Sequence, residues 1–189
     1  QLWTLVRESA AEGKVLLADV SMPSVRASVA LARVAAELGY AAVHAVPPAE
    51  GDARLYYQAL GDASPLPVLA RGSFDHPNVV SGPEEPVRNL SQHLQQGASW
   101  AIWKLAAAAP FVAVTIQEAV QKREYKAADD WQQRAGEAIR LVEEVHGLPG
   151  LKHALDYNGY YGGPCRLPYV PLGRAAQVAI EEALHGLRS

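Results

Sequence analysis

Two apolar runs separated by one amphipathic segment constrain the fold of this chain more than any other feature. The runs span residues 15–20 (VLLADV) and 41–46 (AAVHAV), and each has the length and composition of a buried strand. Between them, Ser24 is a candidate N-cap for a helix, and Gly39 provides a residue that tolerates the positive φ common just after a helix. A strand, a helix and a strand joined by short connections are typical of a parallel sheet.

Strands and helices continue to alternate along the chain. Further strands are predicted at 67–70, 78–80 and 98–103, which makes about five in total, all parallel. A (β/α)8 barrel needs eight strands and roughly 250 residues. With 189 residues, the chain cannot close such a barrel alone, and an open five-stranded parallel sheet is the alternative. Helices are predicted at 54–60, 84–96, 152–157 and 174–187. Segment 115–145 is predicted to form two further helices, divided near residue 124.

Charge and composition exclude several classes of function. The formal net charge is -3, from 17 basic and 20 acidic residues without a basic stripe, so nucleic acid and anionic membranes are poor partners. No apolar run approaches the ~20 residues of a membrane helix. Cys165 is the only cysteine, which excludes an internal disulfide and favours a cytoplasmic location. The start at Gln1 lacks the pattern of a signal peptide, and it predicts that the true start lies upstream.

A glycine-rich motif lies near the C-terminus. It runs from His146 to Lys152 as HGLPGLK and continues from Asp156 to Pro168 as DYNGYYGGPCRLP. This stretch resembles the C-terminal signature, G-(I/L)-x-x-L-K followed by G-x-x-R-x-P, of the dihydrodipicolinate synthase and N-acetylneuraminate lyase family. The run GYYGGPCR is most similar to the 4-hydroxy-2-oxoglutarate aldolase branch of that family.

The resemblance extends along nearly the whole chain in the same order. Residues 66–69 (LPVL) and 76–80 (HPNVV) are similar to the ends of two barrel strands, and residues 97–102 (GASWAI) are similar to a third. The resemblance therefore implies an α/β fold, a (β/α)8 TIM barrel with a C-terminal helical cap that is incompletely represented here. It assigns 1–110 to the partial barrel, and 111–189 to the last barrel helices and the C-terminal helical region of the same domain.

The chain departs from the family at the C-terminal ends of its strands, where barrel enzymes carry their active sites. The family continues the HPNVV strand into a lysine whose amine condenses with the ketone of pyruvate, whereas Ser81-Gly82-Pro83 follow here. Ala70-Arg71-Gly72 replace a catalytic tyrosine, and residues 49–51 (AEG) replace a double tyrosine. The first two strands of the family have no counterpart in this sequence.

Two interpretations of these departures stay open. In the first, active-site loops are missing from this sequence; such loops are the mobile parts of an enzyme, which accounts for the position of the gaps. This interpretation implies an aldolase that forms a Schiff base with pyruvate or another 2-oxo acid. In the second, the protein is a non-catalytic paralogue that has lost the lysine and keeps the surface for assembly.

The resemblance implies Gly82, Ile102 and Pro47 as substrate-binding residues. It implies neither a metal nor a cofactor, because the imine itself acts as the electron sink. As alternatives, Gly82 forms a turn before Pro83 and Ile102 belongs to the barrel core. No lysine stands where the family has its nucleophile, and Lys152 is expected to have a capping or interface role. The five lysines are Lys14, Lys104, Lys122, Lys126 and Lys152.

Structural roles are predicted for the histidines and the cysteine. The six histidines lack the spacing of metal ligands, and Cys165 is predicted to be a small buried residue. The resemblance further implies a 2-oxo acid and an aldehyde as small-molecule partners. It also implies a homodimer or homotetramer, to which Trp100, Trp103 and Tyr125 are expected to contribute contacts.

Overall fold

Parallel strands form the sheet of the N-terminal part of the chain. The computed structural model describes residues 1–83 and 87–187, and the chain divides into two units, Gln1–Glu85 and Pro86–Ser189. The division at residue 110 that the resemblance implies stays a prediction. The described part of the first unit contains α1 (Leu2–Ser9), β1 (Leu17–Asp19), α2 (Val25–Glu37), β2 (Ala42–Ala45), α3 (Ala53–Ala63), β3 (Val68–Ala70) and β4 (Val79–Val80).

The strand order is β1-β2-β3-β4, and each strand is parallel to the next. This order confirms the strand–helix–strand pattern predicted from the sequence, because each helix carries the chain back to the start of the neighbouring strand. Helix α2 packs against β2, and α3 packs against β3 and β4.

One face of the sheet is buried under these helices. Side chains alternate between the two faces of a strand, and those on the helix-packed face join helix residues such as Leu60 in one apolar cluster. The opposite face carries Leu17, Asp19 and Val80, which are all exposed, together with His44. The members of the helix-packed face are Ala18, Val43, Ala45, Val68, Ala70 and Val79.

Polar caps fix the ends of the helices in the first unit. The Ser24 side chain accepts a hydrogen bond from the backbone N–H of Ala27 at 3.3 Å, which confirms the predicted N-cap. Gly39 has φ +76°, as expected for the residue after α2. At the start of α3, the Asp52 carboxylate accepts hydrogen bonds from two backbone N–H groups, at 2.8 and 3.0 Å.

The second unit is helical. Its fully buried core includes Leu105, Val112, Ile116, Ile180 and Leu184. The described elements are α4 (Leu90–Gln95), α5 (Leu105–Ala108), α6 (Pro110–Gln121), α7 (Tyr125–Arg134), α8 (Gly136–Ile139), a π-helical segment (Arg140–Val145), α9 (Gly147–Tyr157) and α10 (Arg174–His185). No helix in the described ranges is both long and apolar enough to cross a membrane.

The π-helical segment presents Glu143 to the start of α5. The Glu143 carboxylate accepts a hydrogen bond from the backbone N–H of Leu105 at 3.0 Å. Burial of this side chain raises the pKa of Glu143. A carboxylate at this position satisfies a backbone donor that has no partner within a helix, so it stabilises the first turn of α5.

One predicted strand is wrong. Residues 98–103 contain neither strand nor helix, because a strand needs a hydrogen-bonded neighbour and none of the described strands pairs with this segment. The helix predicted over 84–96 forms over Leu90–Gln95, and 84–86 lie outside the described residues. The predicted break between two helices near residue 124 is confirmed by the ends of α6 and α7.

The glycine-rich motif is held in place by α9. Lys152 Nζ donates hydrogen bonds to the carbonyl oxygens of Gly162 and Pro164, at 2.8 and 3.0 Å. The Asp156 carboxylate accepts hydrogen bonds from the backbone N–H groups of Gly162 and Gly163, at 2.7 and 3.4 Å. Lys152 therefore holds the loop that follows α9 and does not cap a helix end.

Candidate active site

The C-terminal ends of the four parallel strands meet at one edge of the sheet. Their register places Asp19, His44, Leu69 and Val80 in one lateral row, one residue from each strand. All four lie on the face opposite to the buried helices, because the apolar cluster takes the alternate residues. In open and closed α/β sheets alike, this end of the strands is where ligands bind.

Asp19 and His44 form a close polar pair in this row. Asp19 Oδ2 lies 2.7 Å from His44 Nδ1, and Asp19 Oδ1 accepts a hydrogen bond from the backbone N–H of Ser21 at 3.0 Å. The hydrogen bond from His44 lowers the pKa of Asp19 from 3.8 to about 2, against an opposing effect of burial. The carboxylate is therefore ionised at neutral pH, and the imidazole hydrogen of the pair resides on His44 Nδ1.

The lowered pKa of Asp19 predicts a loss of stability in acid. The folded pKa of about 2 lies below the ordinary 3.8, so the contribution is complete above pH 3.8 and disappears as the pH falls through about 2. Because the Asp19 side chain is 61% exposed, solvent screening limits this contribution to about 1 kcal/mol. Urea unfolding should therefore show that the free energy of unfolding decreases less between pH 5 and pH 2 for Asp19→Asn than for the natural protein.

The variant His44→Ala is the control for this experiment. It removes the imidazole that contributes most to the lowered pKa of Asp19, while the hydrogen bonds from Ser21 remain, so its decrease in stability in acid should lie between that of the natural protein and that of Asp19→Asn. Equal acid losses in the natural protein and in both variants would contradict the assigned role of the pair.

Tyr57 of α3 forms hydrogen bonds to the ends of two strands. Its ring is 1% exposed, its hydroxyl donates to the carbonyl oxygen of Ala45 at 2.7 Å, and it accepts from the backbone N–H of Arg71 at 3.0 Å. Burial raises the pKa of Tyr57, so the hydroxyl stays protonated at neutral pH. With its donor and one acceptor site engaged by the backbone, Tyr57 holds β2 and β3 in register at the candidate site.

Two of the predicted substrate-binding residues lie at these strand ends. Pro47 is half-buried and follows β2, and Gly82 follows β4. Gly82 exchanges two backbone hydrogen bonds with Gly72, at 3.0 and 3.1 Å, and Gly72 has φ +91°. The chain beyond β4 is thus tied to the chain beyond β3 by an antiparallel bridge.

The third predicted residue, Ile102, belongs to the second unit. It lies in the irregular segment before α5, and 47% of its surface is exposed. Its neighbour Trp103 is only 5% exposed, so the expectation that Trp103 contributes to a subunit contact is wrong. Tyr125, which was expected to contribute as well, is 45% exposed.

No lysine lies at the described strand ends. Lys14 is exposed and precedes β1, so it lies at the opposite end of the sheet. Lys122 pairs with Glu118 at 3.6 Å on an exposed helix face. Cys165 is half-buried, which corrects the prediction that it is buried. Among the residues that the structure describes, no group of three or more metal-ligating side chains is present.

Asp19, His44 and Tyr57 were missed by the sequence reasoning. Each of the runs VLLADV and AAVHAV contains one polar residue close to its C-terminal end, and this shared position was the available signal. The apolar neighbours led to both runs being interpreted as buried strands. Tyr57 gave no signal of its own, because a tyrosine in a helix is ordinary core material.

A curated protein and several solved structures are similar to this chain. No protein-family model matches the chain. An N-acetylneuraminate lyase from Rhizobium meliloti (strain 1021) is 25% identical over 219 residues, covering 93% of this chain and 73% of the relative. This aligned region is longer than the 189-residue chain, so the relative has internal segments without a counterpart here.

Solved structures show the same fold. A dihydrodipicolinate synthase from Bacteroides thetaiotaomicron has a TM-score of 0.81 at 19% identity, with 98% of this chain and 80% of that chain covered. An N-acetylneuraminate lyase from Mycoplasma synoviae has a TM-score of 0.78 at 17% identity, with 99% and 78% covered. The parallel strand order and these folds identify the chain as an incomplete (β/α)8 barrel, similar in sequence to an N-acetylneuraminate lyase and in fold to dihydrodipicolinate synthases.

Proposed function

We propose that this protein is an aldolase that forms a Schiff base between a lysine amine and a 2-oxo acid such as pyruvate. The observation that carries the proposal is the long alignment with a lyase, in which the relative has internal segments that this chain lacks. The sequence departs from the family at the ends of strands, and a segment inserted there would supply a lysine next to Pro47 and Gly82.

The chemistry of this proposal requires an unprotonated amine. A lysine that is desolvated at the mouth of a barrel has a lowered pKa, so its amine attacks the ketone carbon and water leaves. The resulting iminium withdraws electrons from C3, which allows a carbon–carbon bond to an aldehyde to form or break. The proposal includes a 2-oxo acid and an aldehyde as partners, a dimer or tetramer, and a cytoplasmic location; the glycine-rich motif favours 4-hydroxy-2-oxoglutarate.

A non-catalytic paralogue is the second candidate. The bridge between Gly72 and Gly82 favours this candidate. It joins the chain after β4 directly to the chain after β3, and residues 81–83 contain no lysine. The mass of the natural protein separates the two candidates. A complete barrel of roughly 250 residues would have a mass of about 30 kDa, whereas this sequence accounts for 20.3 kDa.

Borohydride reduction in the presence of pyruvate tests the aldolase directly. We expect a three-carbon adduct on a lysine two or three residues after Val80, detected by peptide mass, because the end of this strand points to the mouth of the barrel. Replacing that lysine by alanine should abolish the adduct and leave the fold intact, since it removes an amine rather than core volume.

Lys14→Ala is the matched control, because Lys14 lies at the opposite end of the sheet and should not affect the adduct. If the natural protein reads Val80-Ser81-Gly82 without interruption and no adduct forms, the non-catalytic paralogue becomes the better description.

A further inference from the structure

The connection between β3 and β4 leaves part of helix α3 uncovered. Residues 71–78 join these two parallel strands without a helix, whereas a parallel crossover usually takes about a dozen residues or more and includes one. A cavity of about 250 Å³ lies between α3 and this connection, wholly within the first unit. Its lining residues are Arg54, Tyr57 and Gln58 of α3 and Phe74, Asp75 and His76 of the connection.

Three of these side chains form fixed walls of the cavity. The ring centroids of Tyr57 and Phe74 are 4.5 Å apart, and the Tyr57 hydroxyl is bound to the backbone at the ends of two strands. The backbone N–H and carbonyl oxygen of Phe74 both bind the Ser81 hydroxyl, at 2.9 and 3.2 Å. Both ring nitrogens of His76 have hydrogen-bond partners at 3.1 Å. The walls therefore exist before a ligand binds, which reduces the entropy lost on binding.

The other three side chains offer polar groups to a ligand. Arg54, Gln58 and Asp75 are exposed, and within the part of the chain that the structure describes, none of these side chains has a hydrogen bond or an ion pair. Arg54 and Asp75 therefore line one cavity without neutralising each other. A guanidinium donates hydrogen bonds, a carboxylate accepts them, and an amide does both, so the cavity presents complementary partners for both signs of charge.

We propose that this cavity binds a small α-amino acid in its zwitterionic form. The ligand carboxylate binds the Arg54 guanidinium, whose parallel N–H groups match two carboxylate oxygens. The ligand ammonium binds the Asp75 carboxylate, and the Gln58 amide binds either group. This inference goes beyond the proposed function and does not depend on it, because the site uses neither a lysine nor a 2-oxo acid.

Charge and size together select this class of ligand. A simple anion would be attracted by Arg54 and repelled by Asp75, and a simple cation would experience the reverse. A ligand with both charges is attracted by both residues. The cavity volume of about 250 Å³ lies below the roughly 300–1,000 Å³ of pockets for drug-sized molecules. The amino acid therefore has a small side chain, which packs against the rings of Phe74 and Tyr57.

Titration of the protein with three matched compounds, followed by ¹H–¹⁵N NMR, tests the site. L-Alanine carries both charges, propionate is the same molecule without the amine, and ethylamine is the same molecule without the carboxylate. We expect L-alanine to shift the signals of Arg54 Nε–H and of the Asp75 backbone N–H, and to bind about fivefold or more tightly than either singly charged compound. Equal binding of propionate or ethylamine would overturn the inference, as would the absence of shifts with L-alanine.

Two variants test the assigned groups. Arg54→Gln and Asp75→Asn each remove one charge, and each should weaken the binding of L-alanine by about fivefold or more. Arg33→Gln is the matched control, because Arg33 is exposed on α2 outside the cavity and should leave binding unchanged. Circular dichroism checks that the variants fold. Unchanged binding in either cavity variant, or equal weakening in Arg33→Gln, would contradict the inference, and the three compounds test the natural protein without any substitution.

Discussion

Replacing Gly162 by alanine is expected to lower the free energy of unfolding by about 3 kcal/mol or more. A Cβ at this position would overlap the backbone carbonyl oxygen of Lys152 and would lie 2.7 Å from its carbon and 2.9 Å from its Cα. These are backbone atoms of a helix, so they cannot move aside as the end of a flexible side chain can. The loop would have to shift, and the hydrogen bonds from Lys152 and to Asp156 would be lost.

Urea unfolding followed by circular dichroism measures this loss. Gly186→Ala is the matched control in the same unit, because a Cβ there meets nothing within 4 Å and its φ is −80°. The control should change stability by less than about 0.5 kcal/mol. Similar losses for both variants would show that the contact between Gly162 and Lys152 is not what fixes this glycine.

Replacing Gly61 by alanine is expected to destabilise the first unit by about 2 kcal/mol, within the usual range for overpacking. This result is opposite to the effect in an open helix, where the change from glycine to alanine gains up to about 1 kcal/mol. The added Cβ would lie 2.6 Å from His76 Cε1 and 2.8 Å from Val79 Cγ2. The ring of His76 cannot move away easily, since Asp62 and the backbone N–H of Asn78 both bind it.

The same unfolding experiment tests this prediction. Gly136→Ala is the control, because Gly136 is also helical and a Cβ there meets nothing within 4 Å. It should be neutral or slightly stabilising. Gly61→Ala should lower the free energy of unfolding by less in a His76→Ala background than in the natural protein, because the ring that the Cβ would meet is absent there. A Gly61→Ala variant as stable as the natural protein would rule out the close packing of α3 on His76.

The sequence predicted the parallel sheet because its strands and its first helix carry strong local signals. The runs 15–20 and 41–46, the cap at Ser24 and the glycine at 39 all describe the observed β1, α2 and β2. The segment 98–103 has the same apolar character but forms no strand. Apolar composition is local, whereas pairing depends on a neighbouring strand far along the chain, and no pattern within six residues reports it.

The candidate site was less predictable than the fold. The positions of Pro47 and Gly82 at strand ends followed from where the apolar runs stop. The pairing of Asp19 with His44 depends on the register between β1 and β2. A shift of one residue would have placed the two side chains on opposite faces of the sheet. Contacts across 25 residues are set by how the helix between the strands packs, so composition alone does not reveal them.

The π-helical segment makes the number of residues between α8 and α9 a part of the fold. Each helical residue turns the chain by about 100°, so deletion of a single codon within 140–145 would rotate the residues that follow it in the segment relative to α8. The buried residues Leu141 and Val142 would then turn toward solvent, and Glu143 would leave the backbone of Leu105. Natural variants of this segment are therefore expected to differ by substitutions and not by insertions or deletions. A change in the number of residues would lower the stability of the fold more than the replacement of an exposed side chain.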